Sequence, residues 1–207
     1  MKNIHLYGDS IFDNATYVDP DRAVTDHMKR LLPDEYSHRL FAVDGHTTRH
    51  CLEEINTLTP KLKVDIKDTA VLSIGGNNAL QSAGVLFTPV RTVRESFERM
   101  MPMIEDFRKN YEQVVNALLK SYYNIRICTI YNKIPGQEFG IGPVEMMALG
   151  LYNDVITETA SKYNIDLIDL RVVCDSLACY STISPIEPSD EGGQRIAQAI
   201  INSVCKG

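Results

Sequence analysis

Five short runs of apolar and β-branched residues, spaced by longer helical patterns, constrain this chain more than any other feature. They are KNIHLYG (2–8), HRLFAVDG (38–45), TAVLSIGG (69–76), IRICTIYN (125–132) and IDLIDL (165–170). Each has the length of one strand and little polar alternation, as strands covered on both faces do. Between them apolar residues recur at three- and four-residue steps, most clearly at Phe97, Met100, Ile104, Phe107, Tyr111 and Val114. A second helical stretch runs through Val144, Met147, Leu151 and Val155, and a last one through Ile196, Ile200 and Val204. The Met and Phe stripes on these helices read as core.

Strand alternating with helix predicts a parallel sheet with right-handed crossovers and helices on both faces. The expected fold is α/β, three-layer and doubly wound, with a flavodoxin-like five-stranded sheet in the order 2-1-3-4-5. In such sheets ligands bind beyond the carboxyl ends of the strands, so the residues that follow each strand are the ones to inspect. Two connections read as long and irregular, residues 79 to 92 and 132 to 143, and both are expected at that edge.

Composition narrows the class. With 207 residues, 44% of them hydrophobic, the chain suits one domain over 1–207. A net charge of −6 with no run of Lys and Arg offers no electrostatic footprint for nucleic acid. No stretch approaches the roughly 20 apolar residues of a membrane span, and the N-terminus is too mixed for a secretory segment. The expectation is a soluble cytoplasmic protein. Its five cysteines fall in no zinc-like spacing, so reduced thiols are expected, with Cys174 and Cys179 the pair that an oxidising compartment would join. No metal and no cofactor are expected; "GDSIFDN" lacks the glycines of a nucleotide loop, and Asp9 and Asp13 would repel a phosphate.

The strand ends carry chemistry. Gly8-Asp9-Ser10 follows the first run, Asp44-Gly45 ends the second, and Gly75-Gly76-Asn77-Asn78 follows the third. Ser10, where a strand opens towards a helix, can present both its hydroxyl and its own N–H to the crevice. Gly45 lets backbone approach without a Cβ in the way, and Asn77 offers a side-chain amide. Three donors converging on one point suit the developing oxyanion of acyl transfer. In this the chain resembles the SGNH (GDSL) hydrolases, which carry blocks of this kind in the same order over nearly the whole length. The resemblance implies an esterase or acylhydrolase with Ser10 as nucleophile, an oxyanion hole of Ser10, Gly45 and Asn77, and a small ester or acyl compound as substrate.

The fourth block departs from the family's D-x-x-H. Aligned on Pro188 and the helix that follows, "SPIEPSDEGGQRIA" puts Ser184 at the Asp and Glu187 at the His. This is similar to a branch of the family reading S-x-x-E. Asn78 likewise stands where the family has Asp. Glu187 can act as the base, since a carboxylate near pKa 4.3 is about tenfold poorer than imidazole if half the difference is felt in the transition state. Burial against Ile183 and Ile186 would raise its pKa. Ser184 could hydrogen-bond that carboxylate or the loop. Equally, Glu187 could be structural, accepting N–H bonds at the start of the last helix. His46, directly after Gly45, is an alternative base or substrate contact. His5 reads as buried and hydrogen-bonded, whereas His27, His38 and His50 read as solvated.

Two functions follow from this reading, a serine hydrolase working through an acyl-enzyme on Ser10 or an inactive relative that binds a small acyl or carbohydrate ligand. Leu86, Phe87, Ile134, Phe139 and Ile183 would line an apolar wall if the two long connections fold over the edge, favouring a short acyl chain.

Overall fold

The computed structural model describes residues 1–132 and 142–205. Its strands are β1 (Lys2–Gly8), β2 (Tyr36–Leu40), β3 (Thr69–Ser73), β4 (Asn124–Cys128) and β5 (Asp166–Ile168). Its helices are α1 (Val24–Leu31), α2 (Thr48–Leu58), α3 (Gly76–Ser82), α4 (Val93–Leu119), α5 (Pro143–Lys162), α6 (Leu170–Val173) and α7 (Asp190–Cys205). The sheet runs β2-β1-β3-β4-β5 with every pairing parallel, as the strand and helix alternation predicts.

Alternation along β1 divides two apolar layers. Ile4 and Leu6 join Val71, Val24, Met28 and Ile196 on the face covered by α1 and α7. Tyr7 joins Leu72, Ile55, Tyr111, Val114 and Val155 on the face covered by α2, α4 and α5. His5 points into the second layer, where its Nδ1 lies 2.6 Å from the Tyr122 hydroxyl.

Several elements differ from the sequence reading. The second strand lies at 36–40 rather than 38–45, because the chain leaves the sheet at Phe41 and Ala42, whose N–H groups both reach the Leu6 carbonyl. The connection 79–92 is not irregular: α3 occupies its start and a 3-10 helix spans Ala83–Phe87. The other connection, 132 to 143, falls almost wholly outside the described residues. His27 is not solvated but 3% exposed, with Nε2 2.9 Å from an Asp190 oxygen. Half-buried His38 lies in β2, where burial lowers its pKa, and His50 is exposed as expected. All five cysteines, Cys174 and Cys179 included, are free.

Helix α4 determines what stands beside the strand ends. Thr92 caps it by accepting the Glu95 N–H at 3.1 Å, while the Glu95 carboxylate accepts the Arg91 N–H at 3.0 Å. Its 27 residues span about 40 Å, against about 17 Å for a five-residue strand. The half from Phe107 to Leu118 packs on the sheet. The half before it overhangs the carboxyl edge, so the Met and Phe stripe there is not core: Phe97 and Met101 are each 54% exposed.

Gly8 ends β1 with φ of +144°, and a Cβ there would lie 1.8 Å from the Ser73 carbonyl oxygen. That close approach lets the same carbonyl accept the Asp9 N–H at 3.2 Å. No side chain fits. The Gly8→Ala variant is expected to lose more than about 3 kcal/mol, seen as a fall on the order of 10 °C in a circular dichroism melt. A melt within a few degrees of the parent would mean the strand end can relax.

Candidate active site

The nucleophile candidate sits in a turn, not at a helix start. After Gly8 the N–H groups of Phe12 and Asp13 both reach the Asp9 carbonyl, a 3-10 turn follows at Ala15–Tyr17, and the first α-helix begins only at Val24. The turn leaves the Ser10 N–H without a partner among the described residues. Asp9 is 2% exposed and accepts the Ile11 N–H at 3.2 Å. Burial pushes its carboxyl up to about 7 against the opposing pull of the Ile11 and Gly75 amides.

Ser10 and Glu187, 177 positions apart, meet beyond this turn: the Ser10 Oγ donates to Glu187 Oε1 at 2.9 Å. Glu187 is 4% exposed, and its Oε2 accepts no hydrogen bond from any described residue. Burial pushes the carboxyl up to about 8; the Ser10 hydroxyl pulls it down, and the charges of Asp9 and Asp44 push it further up. Among the described residues no cation acts on its pKa, and the Ser10 hydroxyl is what offsets the desolvation there.

The main chain holds Glu187. Its N–H donates to the Ser184 carbonyl at 3.0 Å, and its carbonyl accepts the Ser181 N–H at 2.8 Å. On either side, the Tyr131 hydroxyl donates to the Ile186 carbonyl at 2.6 Å and the Asn14 amide donates to the Pro188 carbonyl at 3.2 Å. Ser184 therefore contributes its carbonyl to the loop; its hydroxyl makes no hydrogen bond with any described residue. The last helix is capped by Ser189, whose Oγ accepts the Gly192 N–H at 3.1 Å, so the capping role open to Glu187 in the sequence is filled by another residue.

Gly45 and Asn77 meet through His46. Gly45 has φ of +79°, and a Cβ built there would touch nothing within 4 Å. The requirement is thus conformational rather than the crowding that the sequence suggests. The Gly45 N–H has no partner among the described residues, while the Asn77 amide donates to the His46 carbonyl at 2.9 Å and keeps a second N–H. The His46 ring lies 5.3 Å from that of His50 and makes no hydrogen bond with Ser10. At Asn78, where the family has Asp, the side-chain oxygen accepts the Thr48 N–H at 3.0 Å and the amide donates to Thr48 Oγ1 at 3.1 Å. An aspartate could hold both places only by accepting from the Thr48 hydroxyl as well.

Ser10, Asn77 and Glu187 open on one end of an apolar cavity of about 160 Å³. Leu86 and Phe87 line it as the sequence suggests, together with Met100, Met103, Ile104 and Met146. Ile183 does not; it is 66% exposed. Ile134 and Phe139 lie outside the described residues, and Gly45 stands beside the cavity rather than in its wall. The sequence reading missed Asn14, Tyr131 and the methionines. Asn14 stands within the quoted GDSIFDN block, while the methionine stripe was legible only as helix periodicity. Among the described residues no group of three or more His, Cys, Asp or Glu is placed to hold a metal, and no helix is long and apolar enough to cross a membrane.

The fold has relatives among solved structures. A lipolytic protein of the G-D-S-L family from Veillonella parvula superposes with a TM-score of 0.73 at 14% identity, covering 98% of this chain and 97% of that one. The psychrotrophic esterase EstA from a Pseudoalteromonas species, solved with monoethylphosphonate as inhibitor, gives 0.71 at 13% identity, covering 100% and 98%. An acetyl xylan esterase from Geobacillus stearothermophilus gives 0.69 at 17% identity, covering 98% and 94%. No curated protein matches the sequence. These likenesses show a shared fold, and the profile of one family extends over residues 6–195, from inside β1 into α7. The chain belongs to the GDSL-like lipase/acylhydrolase family, whose members hydrolyse ester bonds.

Proposed function

We propose that this protein cleaves a carboxylic ester through an acyl-enzyme on Ser10, with Glu187 as general base. The observation that carries the reading is the 2.9 Å hydrogen bond from Ser10 Oγ to a buried carboxylate at the mouth of an apolar cavity. As Oγ attacks the ester carbon, Glu187 takes its proton, and the charge that develops on the carbonyl oxygen meets the Ser10 and Gly45 N–H groups and the free N–H of Asn77. The protonated Glu187 then gives its proton to the leaving alkoxide. In the second half it takes a proton from water, which attacks the acyl carbon and releases the acid and Ser10.

Burial makes a glutamate suitable for this work. At about 8 its basicity matches or exceeds that of an ordinary imidazole, which removes the penalty expected of an exposed carboxylate. The same shift leaves the carboxyl mostly protonated at pH 7. That observation favours, as the second reading, an inactive relative that binds an acyl ligand in the cavity.

Labelling by a fluorophosphonate separates the two. With Glu187 as base, labelling of the parent is expected to rise with pH through about 8, rather than to level off near neutrality as an ordinary carboxylate would. The Glu187→Gln variant is expected to label about 10² to 10³ times more slowly at pH 9, and Ser10→Ala not at all. His46→Ala is expected to leave the profile in place. An inflection near 6.5 that vanishes in His46→Ala would transfer the role to that residue, and a parent that never labels would leave the binding reading.

Stability supplies an independent check on the carboxyl. Its folded pKa of about 8 stands above the ordinary 4.5, so the native state binds the proton more tightly than the unfolded chain. Stability is then lost as pH rises from about 4.5 to about 8. The Glu187→Gln variant has no such proton, so its melting temperature is expected to exceed the parent's by a margin that widens from pH 5 to pH 8, to on the order of 10 °C. A margin that is constant across that range would remove burial as the origin of the shift.

A further inference from the structure

The cavity beside Ser10 has a composition that the oxyanion site does not require. Of the chain's seven methionines, Met100, Met101, Met103, Met146 and Met147 lie on just two helices, the overhanging half of α4 and the first turns of α5. Met100, Met103 and Met146 line the cavity and are half-buried. Leu86 and Phe87 stand in the same lining, from the 3-10 helix after α3. The apolar lining reaches the surface: Phe87 is 75% exposed, and Phe97, one turn before Met100 on the same helix, is 54% exposed. Exposed apolar side chains that run on from a cavity lined in the same way mark a ligand surface.

We infer that this cavity takes an unbranched aliphatic acyl chain of about six carbons or more, and that Met100, Met103 and Met146 set the acyl specificity. The inference rests on the reading of Ser10 as the point of acyl transfer. Size supports it, because a dry engineered cavity of about 150 Å³ holds a benzene ring and this one is about 160 Å³. A hexanoyl chain is of that order, and longer chains run out over the exposed Phe87. An acetyl group would leave most of the wall uncovered. Methionine, unbranched and rotatable at three bonds, lets such a wall close on chains of different length, which branched side chains do less well.

The experiment compares kcat/KM for p-nitrophenyl acetate, butyrate, hexanoate and octanoate, with hexyl acetate as the ester whose chain lies on the alcohol side. Each methylene that enters the wall contributes up to about fourfold, so hexanoate is expected to exceed acetate at least tenfold and octanoate to match or exceed hexanoate. In Met103→Trp the hexanoate to acetate ratio is expected to fall at least tenfold, and in Met103→Leu to stay within threefold of the parent. Leu86→Trp narrows the cavity from another element and is expected to lower the same ratio if the Met103→Trp protein does not fold. Binding of p-nitrophenyl hexanoate to Ser10→Ala, followed by calorimetry, is expected to be at least tenfold tighter than binding of the acetate. A parent that prefers acetate, an equal gain with hexyl acetate, or a ratio untouched by both tryptophans overturns the assignment while leaving the serine hydrolase reading in place. Absent labelling by a fluorophosphonate sinks the hydrolase reading instead, and the calorimetric comparison then decides the occupant of the cavity alone.

Discussion

The site depends on a carboxyl group taken out of water with no cation to meet it among the described residues. A buried acid in that position costs several kcal/mol when ionised unless it is hydrogen-bonded, and Glu187 has one hydroxyl for the purpose. What keeps it aimed is backbone: the Ser181 and Ser184 bonds within the loop, Tyr131 and Asn14 at its flanks, and the Ser189 cap of α7 immediately after. A histidine can be oriented through its second ring nitrogen by a carboxylate. A glutamate has no such handle, and the fold orients it through its own main chain.

The overhang of α4 is the second constraint. A helix no longer than the strands it covers would leave the carboxyl edge bare, whereas this one carries Met100, Met103 and Ile104 past the sheet to wall the space beside Ser10. One helix therefore serves two roles along its length. Phe107, Tyr111, Val114 and Leu118 supply core, and the preceding turns supply the wall of the cavity beside Ser10.

Much of this was legible because parallel strands buried on both faces read as plain apolar runs, and because residues just past such strands must lie at one edge. Gly8, Ser10, Gly45 and Asn77 could be placed on that logic alone. The loop around Glu187 was harder. Its alignment on Pro188 set Glu187 opposite Ser10, but nothing in SPIEPS distinguishes a carboxyl aimed at the serine from one capping the next helix; that is decided by Asn14 and Tyr131, far away in sequence. Periodicity failed on α4 for a related reason. It records that one side of a helix is apolar, not whether a sheet or an open space faces that side. His27 misled because its partner, Asp190, sits on a helix 163 positions further along.

The separation between Ser10 and Glu187 also bears on how the protein is made. β1 lies inside the sheet yet is synthesised before both its neighbours, and it pairs with β3 only after the chain between them has been laid down. Such non-local parallel pairing is slow to form. The loop that delivers Glu187 comes later still, docked by Asn14 against a turn synthesised some 170 residues before it. Ser10 therefore meets Glu187 only when nearly the whole chain has been made, and a nascent chain still lacking that loop holds the serine without the carboxyl it faces in the fold.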